Sequence, residues 1–161
     1  MSAPPVDPAA ELLGRLRQVR ASEFSAARGG AAAADLTGAG SVETATPGPA
    51  TVDFAETGVW SAAGGPAVRF HNAYRWTRLG GALLRLEQIR LGPRHPVHLV
   101  DLAPVAGGRA AWASVGAHQC CADCYSAELA LLADRVVLRW TVSGPRKNER
   151  LTSAYLHGAG R

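Results

Sequence analysis

Lysine is almost missing from this sequence. Of its 17 lysine and arginine residues, Lys147 is the one lysine, and it lies in the run 144–148. The chain is rich in Ala and Gly, a bias that pushes basic positions toward arginine. A lysine kept in this background indicates a place where a compact, flexible ammonium is preferred to a planar guanidinium. The simpler alternative is a solvated turn that carries a chance lysine.

Charge and long hydrophobic runs are also scarce. Charged residues make up 19% of the chain, and its net charge of +4 comes from scattered arginines. A nucleic-acid-binding signature would include a run of about five or more basic residues, which the sequence does not have. No apolar stretch approaches the length that spans a bilayer. We therefore expect neither a nucleic-acid partner nor a membrane partner.

Cysteines are few, and their number is odd. The three cysteines fall in the segment 118–125, where Cys121 and Cys124 form a C-x-x-C. Zinc takes four ligands, and no second C-x-x-C or histidine pair supplies the other two. The three cysteines are therefore expected to be small buried thiols at a strand–turn–strand junction, without a metal or another cofactor. The N-terminus has no basic region followed by an apolar core, so we predict a reducing cytoplasmic location.

Long helical periodicity is missing as well, and short β runs take its place. Glycine pairs at 64–65, 80–81 and 107–108 separate extended segments, as in β-hairpins. The extended runs cover 51–60, 66–78, 82–91, 96–103, 110–120, 123–132, 135–143 and 150–157. Sequential strands joined by tight turns favour an all-β, antiparallel up-and-down barrel of about 8–10 strands, because closure removes exposed edges.

The remaining segments complete the predicted organisation. Residues 1–10 are expected to be a disordered N-terminal tail, and residues 11–157 a single β-barrel domain. A short helix over 11–21 fits the spacing of its leucines, although a first strand fits as well. Residues 26–50 are dominated by Ala, Gly, Ser, Thr and Pro, which predicts a long flexible connection with one short strand at 41–46.

Alternation predicts which side chains face the barrel interior. Phe70, Asn72, Tyr74 and Trp76 share one face, and Trp140 shares another with Leu138. Five polar residues fall on apolar faces or at the ends of such strands: Glu56, Asn72, His98, His118 and Tyr125. Each one alone is explained by a hydrogen bond inside a packed core. Together they point equally to a polar-lined pocket in which titratable groups do acid–base work.

Several motifs resemble a family of small bacterial proteins of unknown function. The most specific are an H-x-C-x-x-D-x-Y, here His118 to Tyr125, and a W-x-V-x-G-P-R-K, here Trp140 to Lys147. Weaker matches are Leu12-x-Gly14-Arg15, Glu56-x-Gly58, Tyr74-x-Trp76, the pair His98 and Asp101, and Tyr155. The resemblance implies a lipocalin-like (calycin) barrel and brings no known reaction. Because its motifs contain Arg146, Lys147, His118 and Tyr125, the resemblance also favours these four residues as a functional group.

The first functional hypothesis is a small-molecule-binding barrel. Its central cavity would take a small hydrophobic or carboxylate-bearing molecule, with Arg146 and Lys147 at the mouth holding the anionic end. The other predicted ligand-binding residues are Phe70, Asn72, Tyr74, Trp76, His98, Trp140 and Tyr155. A homodimer is compatible with this hypothesis.

The second hypothesis is a cofactor-independent enzyme of specialised metabolism in the same cavity. A cyclase, isomerase or hydratase would use His118 or Glu56 as the general base and Tyr125 as a donor to a developing oxyanion. Lys147 or Arg146 would stabilise negative charge. A lesser alternative is haem or metal binding through His98 or His118 inside the barrel.

Overall fold

The computed structural model describes residues 1–29, 34–106 and 110–158. Within these residues the chain forms one short helix and eleven strands. The elements are α1 (Pro8–Leu16), β1 (Val19–Arg28), β2 (Leu36–Gly48), β3 (Thr51–Ala62), β4 (Val68–Leu79), β5 (Leu83–Gln88), β6 (Val97–Pro104), β7 (Ala111–Ser114), β8 (His118–Cys120), β9 (Asp123–Leu131), β10 (Arg135–Ser143) and β11 (Asn148–His157).

The strands close into an antiparallel barrel. From β1 to β7 and from β8 to β11 each strand pairs with the next strand in sequence, and β11 returns to pair with β1. Both β7 and β8 pair with β9, so the eleven described strands occupy ten positions around the barrel. The predicted all-β, antiparallel up-and-down barrel is thereby confirmed. Gly64 and Gly81 lie in predicted turns and adopt φ angles of 73° and 72°, which glycine adopts without strain. The predicted turn at 107–108 lies outside the described residues.

Helix α1 covers one end of the barrel. Its N-cap is Asp7, whose side chain accepts a hydrogen bond from the backbone of Ala9, and Pro8 begins the helix. The predicted disordered tail therefore ends before residue 8. Arg17 donates to the carbonyl of Pro49 at 2.7 Å, and Arg15 donates to the carbonyl of Leu132. These carbonyls lie in the β2–β3 and β9–β10 turns, so the helix sits over that end.

The apolar face of α1 completes the core at this end. Ala9, Leu12, Leu13 and Leu16 are buried and pack into the same cluster as Trp76. Phe54, Trp76 and Tyr155 form three edge-to-face contacts, with ring centroids 5.2 to 6.4 Å apart. The helix end of the barrel is consequently filled by side chains.

Strand β2 runs through the segment predicted to be a flexible connection. It pairs with β1 on one side and with β3 on the other. Its residues are mostly small and show little hydrophobic alternation, and Val42 is its buried hydrophobic residue. Pairing with β1 and β3 therefore makes this segment a strand, although its own sequence does not predict one. Gly40 lies opposite Gly58, and a Cβ on either residue would collide with the backbone of the other strand. Glycine at both positions permits this close approach.

Candidate functional site

A pocket of about 650 Å³ opens at the end of the barrel opposite α1. Its position follows from the strands, because its lining includes Leu36 at the start of β2 and Trp60 near the end of β3. The β3–β4 and β10–β11 turns lie at this end. On β3 the lining reaches down to Glu56, and on β4 to Tyr74. Glu56 and Tyr74 mark the floor, and the buried rings of Phe54 and Trp76 pack beneath it.

Aromatic and aliphatic side chains make the walls of this pocket. Because successive residues of a strand face opposite sides, the lining takes every second residue of β4 and of β10. The aromatic wall residues are Phe24, Trp60, Phe70 and Trp140, and the leucines are Leu36, Leu86, Leu99, Leu138 and Leu151. Such walls fit an occupant with a substantial apolar body.

The floor of the pocket carries a buried carboxylate. Glu56 is 4% exposed and Ser22 is 2% exposed, and the Ser22 hydroxyl donates to Glu56 Oε1 at 2.5 Å. In the strand register Asn72 lies directly opposite Glu56 on β4, and Tyr155 lies directly opposite Ser22 on β11. Hydrogen-bonding groups from four strands therefore meet at one level of the barrel.

Two tyrosines at this level remain protonated well into the alkaline range. Burial, and secondly the charge of Glu56, raises the pKa of Tyr74 to about 12. The same two causes raise the pKa of Tyr155 well above its ordinary value. Both hydroxyls therefore keep their protons to a higher pH than an exposed tyrosine does, and each can donate a hydrogen bond at the pocket floor.

The mouth carries a second polar group. The rings of His98 and His118 lie 6.4 Å apart, and those of His118 and Tyr125 lie 6.3 Å apart. His98 Nε2 is 3.1 Å from Asp101 Oδ1, and Arg85 also binds this carboxylate with two hydrogen bonds of 2.8 and 3.0 Å. The guanidinium of Arg85 is the main cause that lowers the pKa of Asp101. The Arg85–Asp101 pair thus anchors the His98 ring at the rim.

Most of the predicted site residues converge on this pocket. Those in its lining are Glu56, Phe70, Asn72, Tyr74, His98, His118, Tyr125, Trp140 and Tyr155. Trp76 lies beneath the floor, fully buried. Arg146 and Lys147 are exposed in the β10–β11 turn, at the same end as the mouth but outside the lining. The ammonium of Lys147 lies 3.7 Å from Asp123 Oδ2.

Several pocket residues were not anticipated from the sequence. They are Ser22, which supports Glu56, and the lining residues Phe24, Gln88, Leu151 and Ser153. The alternation of Ser22 and Phe24 is a usable signal, but these residues lie between the predicted short helix or strand over 11–21 and the predicted connection over 26–50, so no strand is predicted there. Ser153 is small and polar, and nothing in its local pattern distinguishes it from an outward-facing residue.

The cysteines lie at the rim. Cys120 lines the mouth and is exposed, while Cys121 is exposed in the β8–β9 turn with a φ of 56°. The prediction of buried thiols is therefore wrong, because the strand–turn–strand junction lies at the open rim of the barrel and not in its core. Among residues 1–29, 34–106 and 110–158, no three histidine, cysteine or acidic side chains are grouped so that they would hold a metal ion.

The sequence of this barrel matches a known family. Residues 15–157 match the model of a family of unknown function, DUF6314. The chain belongs to DUF6314. The match covers every strand of the barrel, so the pocket described above lies within the DUF6314 region. No curated protein matches this DUF6314 sequence.

Two solved structures resemble this DUF6314 barrel. The first is a de novo designed fluorescence-activating β-barrel, with 13% identity, a TM-score of 0.44, and coverage of 89% of this chain and 97% of the other. The second is EF1p2_mFAP2b bound to DFHBI, with 10% identity, a TM-score of 0.44, and coverage of 96% of this chain and 100% of the other.

In the part of the chain that the structure describes, no helix has the length and apolar character needed to cross a membrane.

Proposed function

We propose that this DUF6314 protein binds a partly apolar small molecule in the open end of its barrel. The observation that carries the proposal is the pocket itself, about 650 Å³ with aromatic and leucine walls and polar groups at floor and mouth. Pockets that hold small ligands have volumes of roughly 300–1,000 Å³ and combine apolar walls with a few placed polar groups. A barrel whose function was only structural would gain stability by filling this space.

The distribution of polar groups suggests how the occupant lies. The floor of the pocket is formed by Glu56, Tyr74 and Tyr155, and its rim by His98 and His118. Aromatic side chains occupy the length between them. A molecule with a polar group at its inner end and an apolar body therefore matches the pocket along its whole depth.

A pair of substitutions on β11 tests this proposal. Ser153 lines the pocket, and its neighbour Thr152 faces the opposite side of the sheet. Ser153→Trp would fill the lumen, whereas Thr152→Trp adds the same side chain outside. Nile red, a neutral apolar dye, is expected to bind the parent and Thr152→Trp and to lose at least about tenfold in affinity with Ser153→Trp. Equal dye binding by both variants, each with a cooperative thermal transition, would show that the lumen is not the binding site.

A second proposal is acid–base catalysis in the same pocket. Its specific support is that Glu56, His118 and Tyr125, three of the predicted catalytic residues, all line this one space. His118 or Glu56 would take a proton from the substrate, and Tyr125 would donate to the oxygen on which negative charge develops. Lys147 was predicted to stabilise this charge, but it lies outside the pocket lining, and its ammonium is 3.7 Å from Asp123 Oδ2.

Catalysis is tested by comparing the parent with a variant that lacks both candidate bases. Each protein is incubated with a bacterial metabolite extract, and the products are separated and weighed by mass spectrometry. The parent should convert a compound that a His118→Ala, Glu56→Ala double variant leaves untouched. Conversion at the same rate by both proteins would remove these two residues as bases.

A further inference from the structure

We infer that the molecule bound in this pocket carries a protonated nitrogen on an apolar body, and that the Glu56 carboxylate binds that nitrogen at the floor. The inference rests on the proposed binding function and names the chemical class of its ligand. It assigns the inner end of the pocket to a cationic group, whereas Arg146 and Lys147 had pointed to an anionic one.

The balance of charge in the pocket carries the first step. Among the described residues that line the pocket, Glu56 is the one acidic residue, and none is lysine or arginine. The Ser22 hydroxyl gives Glu56 one neutral hydrogen bond. No lysine or arginine of the described chain forms an ion pair with this carboxylate. A buried carboxylate is costly without a cation, so a ligand ammonium would supply the missing charge.

The position of Glu56 carries the second step. The residue faces the pocket while remaining 4% exposed, because Phe54 on the same face of β3 fills the space beneath it. An occupant that displaces water from this floor makes the attraction between opposite charges stronger than it would be at the surface. The carboxylate is therefore placed to select the inner end of the ligand.

The walls carry the third step, independently of the carboxylate. Trp60, Phe70 and Trp140 line the space above Glu56, and Tyr74 lies beside it. Faces of aromatic rings attract cations, and desolvation strengthens this attraction. An aromatic enclosure with a carboxylate at its base is suited to an ammonium or a protonated heterocycle with an attached apolar group.

The competing cationic corner lies elsewhere. Arg146 and Lys147 are exposed in the β10–β11 turn, and Lys147 is already close to Asp123. Neither residue lines the pocket. A ligand carboxylate held there would leave the charge of Glu56 without an opposite charge.

Three probes with one common body test the inference. Phenylbutylamine, phenylbutanol and phenylbutyrate differ in the terminal group alone, and each is titrated into the full chain by calorimetry near neutral pH. We expect the amine to bind at least about tenfold more tightly than the alcohol, since hydrogen bonds to charged groups are the stronger class. Glu56→Gln should remove this advantage, so that the amine and the alcohol bind the variant with similar affinity. The control Glu43→Gln, an exposed acid on β2, should keep it.

Each other outcome overturns the inference and is informative about the proposed function. Equal affinities for amine and alcohol in the parent would reject the role of Glu56 and leave small-molecule binding standing. Tightest binding of the carboxylate, lost in Lys147→Ala, would establish the anionic alternative. Binding of none of the three would reject this ligand class, and the Nile red contrast on β11 would then decide separately whether the lumen binds anything.

Folding of the variants does not limit the test. The ratio of amine to alcohol affinity is measured on the parent alone. If Glu56→Gln loses its cooperative thermal transition, Glu56→Asp keeps the charge and withdraws it by one methylene. The amine advantage should shrink in Glu56→Asp, and an unchanged advantage would contradict the inference.

Discussion

The Ser22 hydroxyl and the Glu56 carboxylate form a hydrogen bond of 2.5 Å across an intervening strand. Ser22 is on β1 and Glu56 on β3, with β2 between them. The β2 residue beside Ser22 is Gly40, which has no side chain to stand between the two groups. The glycines of β2 thus permit a polar contact between strands that do not pair.

This contact predicts a stability effect for Ser22. Ser22→Ala should lower the free energy of unfolding by about 1–3 kcal/mol, because it leaves a buried carboxylate oxygen without its donor. Urea denaturation measures the change, and Ser25→Ala on the same strand is the control. In a Glu56→Gln background the loss should be smaller, and an equal loss would mean that the hydroxyl stabilises the barrel through some other contact.

The tyrosines at the floor predict a weakening of the fold in alkali. A pKa of about 12 for Tyr74 in the folded state, against 10.0 for the free side chain, means that the folded protein holds this proton when the unfolded chain has lost it. Stability attributable to Tyr74 is therefore complete below pH 10 and falls as the pH rises toward 12. Urea denaturation across this range should show the decline, with a shallower slope in Tyr74→Phe. Identical slopes would contradict the assignment.

The facing glycines of β2 and β3, Gly40 and Gly58, predict that a larger residue at either position destabilises the barrel. Gly40→Ala should destabilise the barrel by about 1–3 kcal/mol or more, because its Cβ would overlap the backbone of β3. Gly48→Ala, on the same strand with no atom within 4 Å of its new Cβ, is the matched control and should be close to neutral. Thermal melting compares the two, and similar transitions would show that the strands separate without penalty at Gly40.

The ion pair between Lys147 and Asp123 is expected to contribute little to the free energy of unfolding. Its side chain is 48% exposed and lies 3.7 Å from Asp123, so Lys147→Ala should change the free energy of unfolding by less than about 1 kcal/mol. Urea denaturation at low and high salt checks this. A larger, salt-independent loss would show that the β10–β11 turn depends on this lysine for its fold.

The barrel was largely predictable, with three exceptions. Strands β3 to β6 and β9 to β11 carry hydrophobic alternation or turn glycines of their own, and the sequence signals them directly. Strand β2 does not, since its Ala, Gly and Thr residues are placed by pairing with β1 and β3. The single run predicted over 110–120 is instead two strands, β7 and β8, which both pair with β9. Helix α1 begins inside a proline-containing segment because Pro8 fits the first turn of a helix, where no backbone donor is needed.

The sequence predicts which side chains face the barrel interior, but it does not predict how far the pocket extends along the barrel. Alternation assigns Phe70, Asn72, Tyr74 and Trp76 to one face, yet it does not say where along the barrel the packed core gives way to the pocket. That boundary falls between Tyr74, which lines the pocket, and Trp76, which is buried below it. Packing of α1 against the far end sets the boundary, and this is a contact between segments distant in sequence. For Lys147 the sequence predicts the turn that carries it, but it does not show that the side chain lies outside the pocket.

Among the residues that the structure describes, helix α1 closes the end of the barrel opposite the pocket mouth. With Leu12, Leu13 and Leu16 seated in the opposite end, no molecule passes straight through. A ligand bound as proposed would enter past the histidines of the rim and leave by the same route, so the end that enters first would be the end that meets the Glu56 carboxylate.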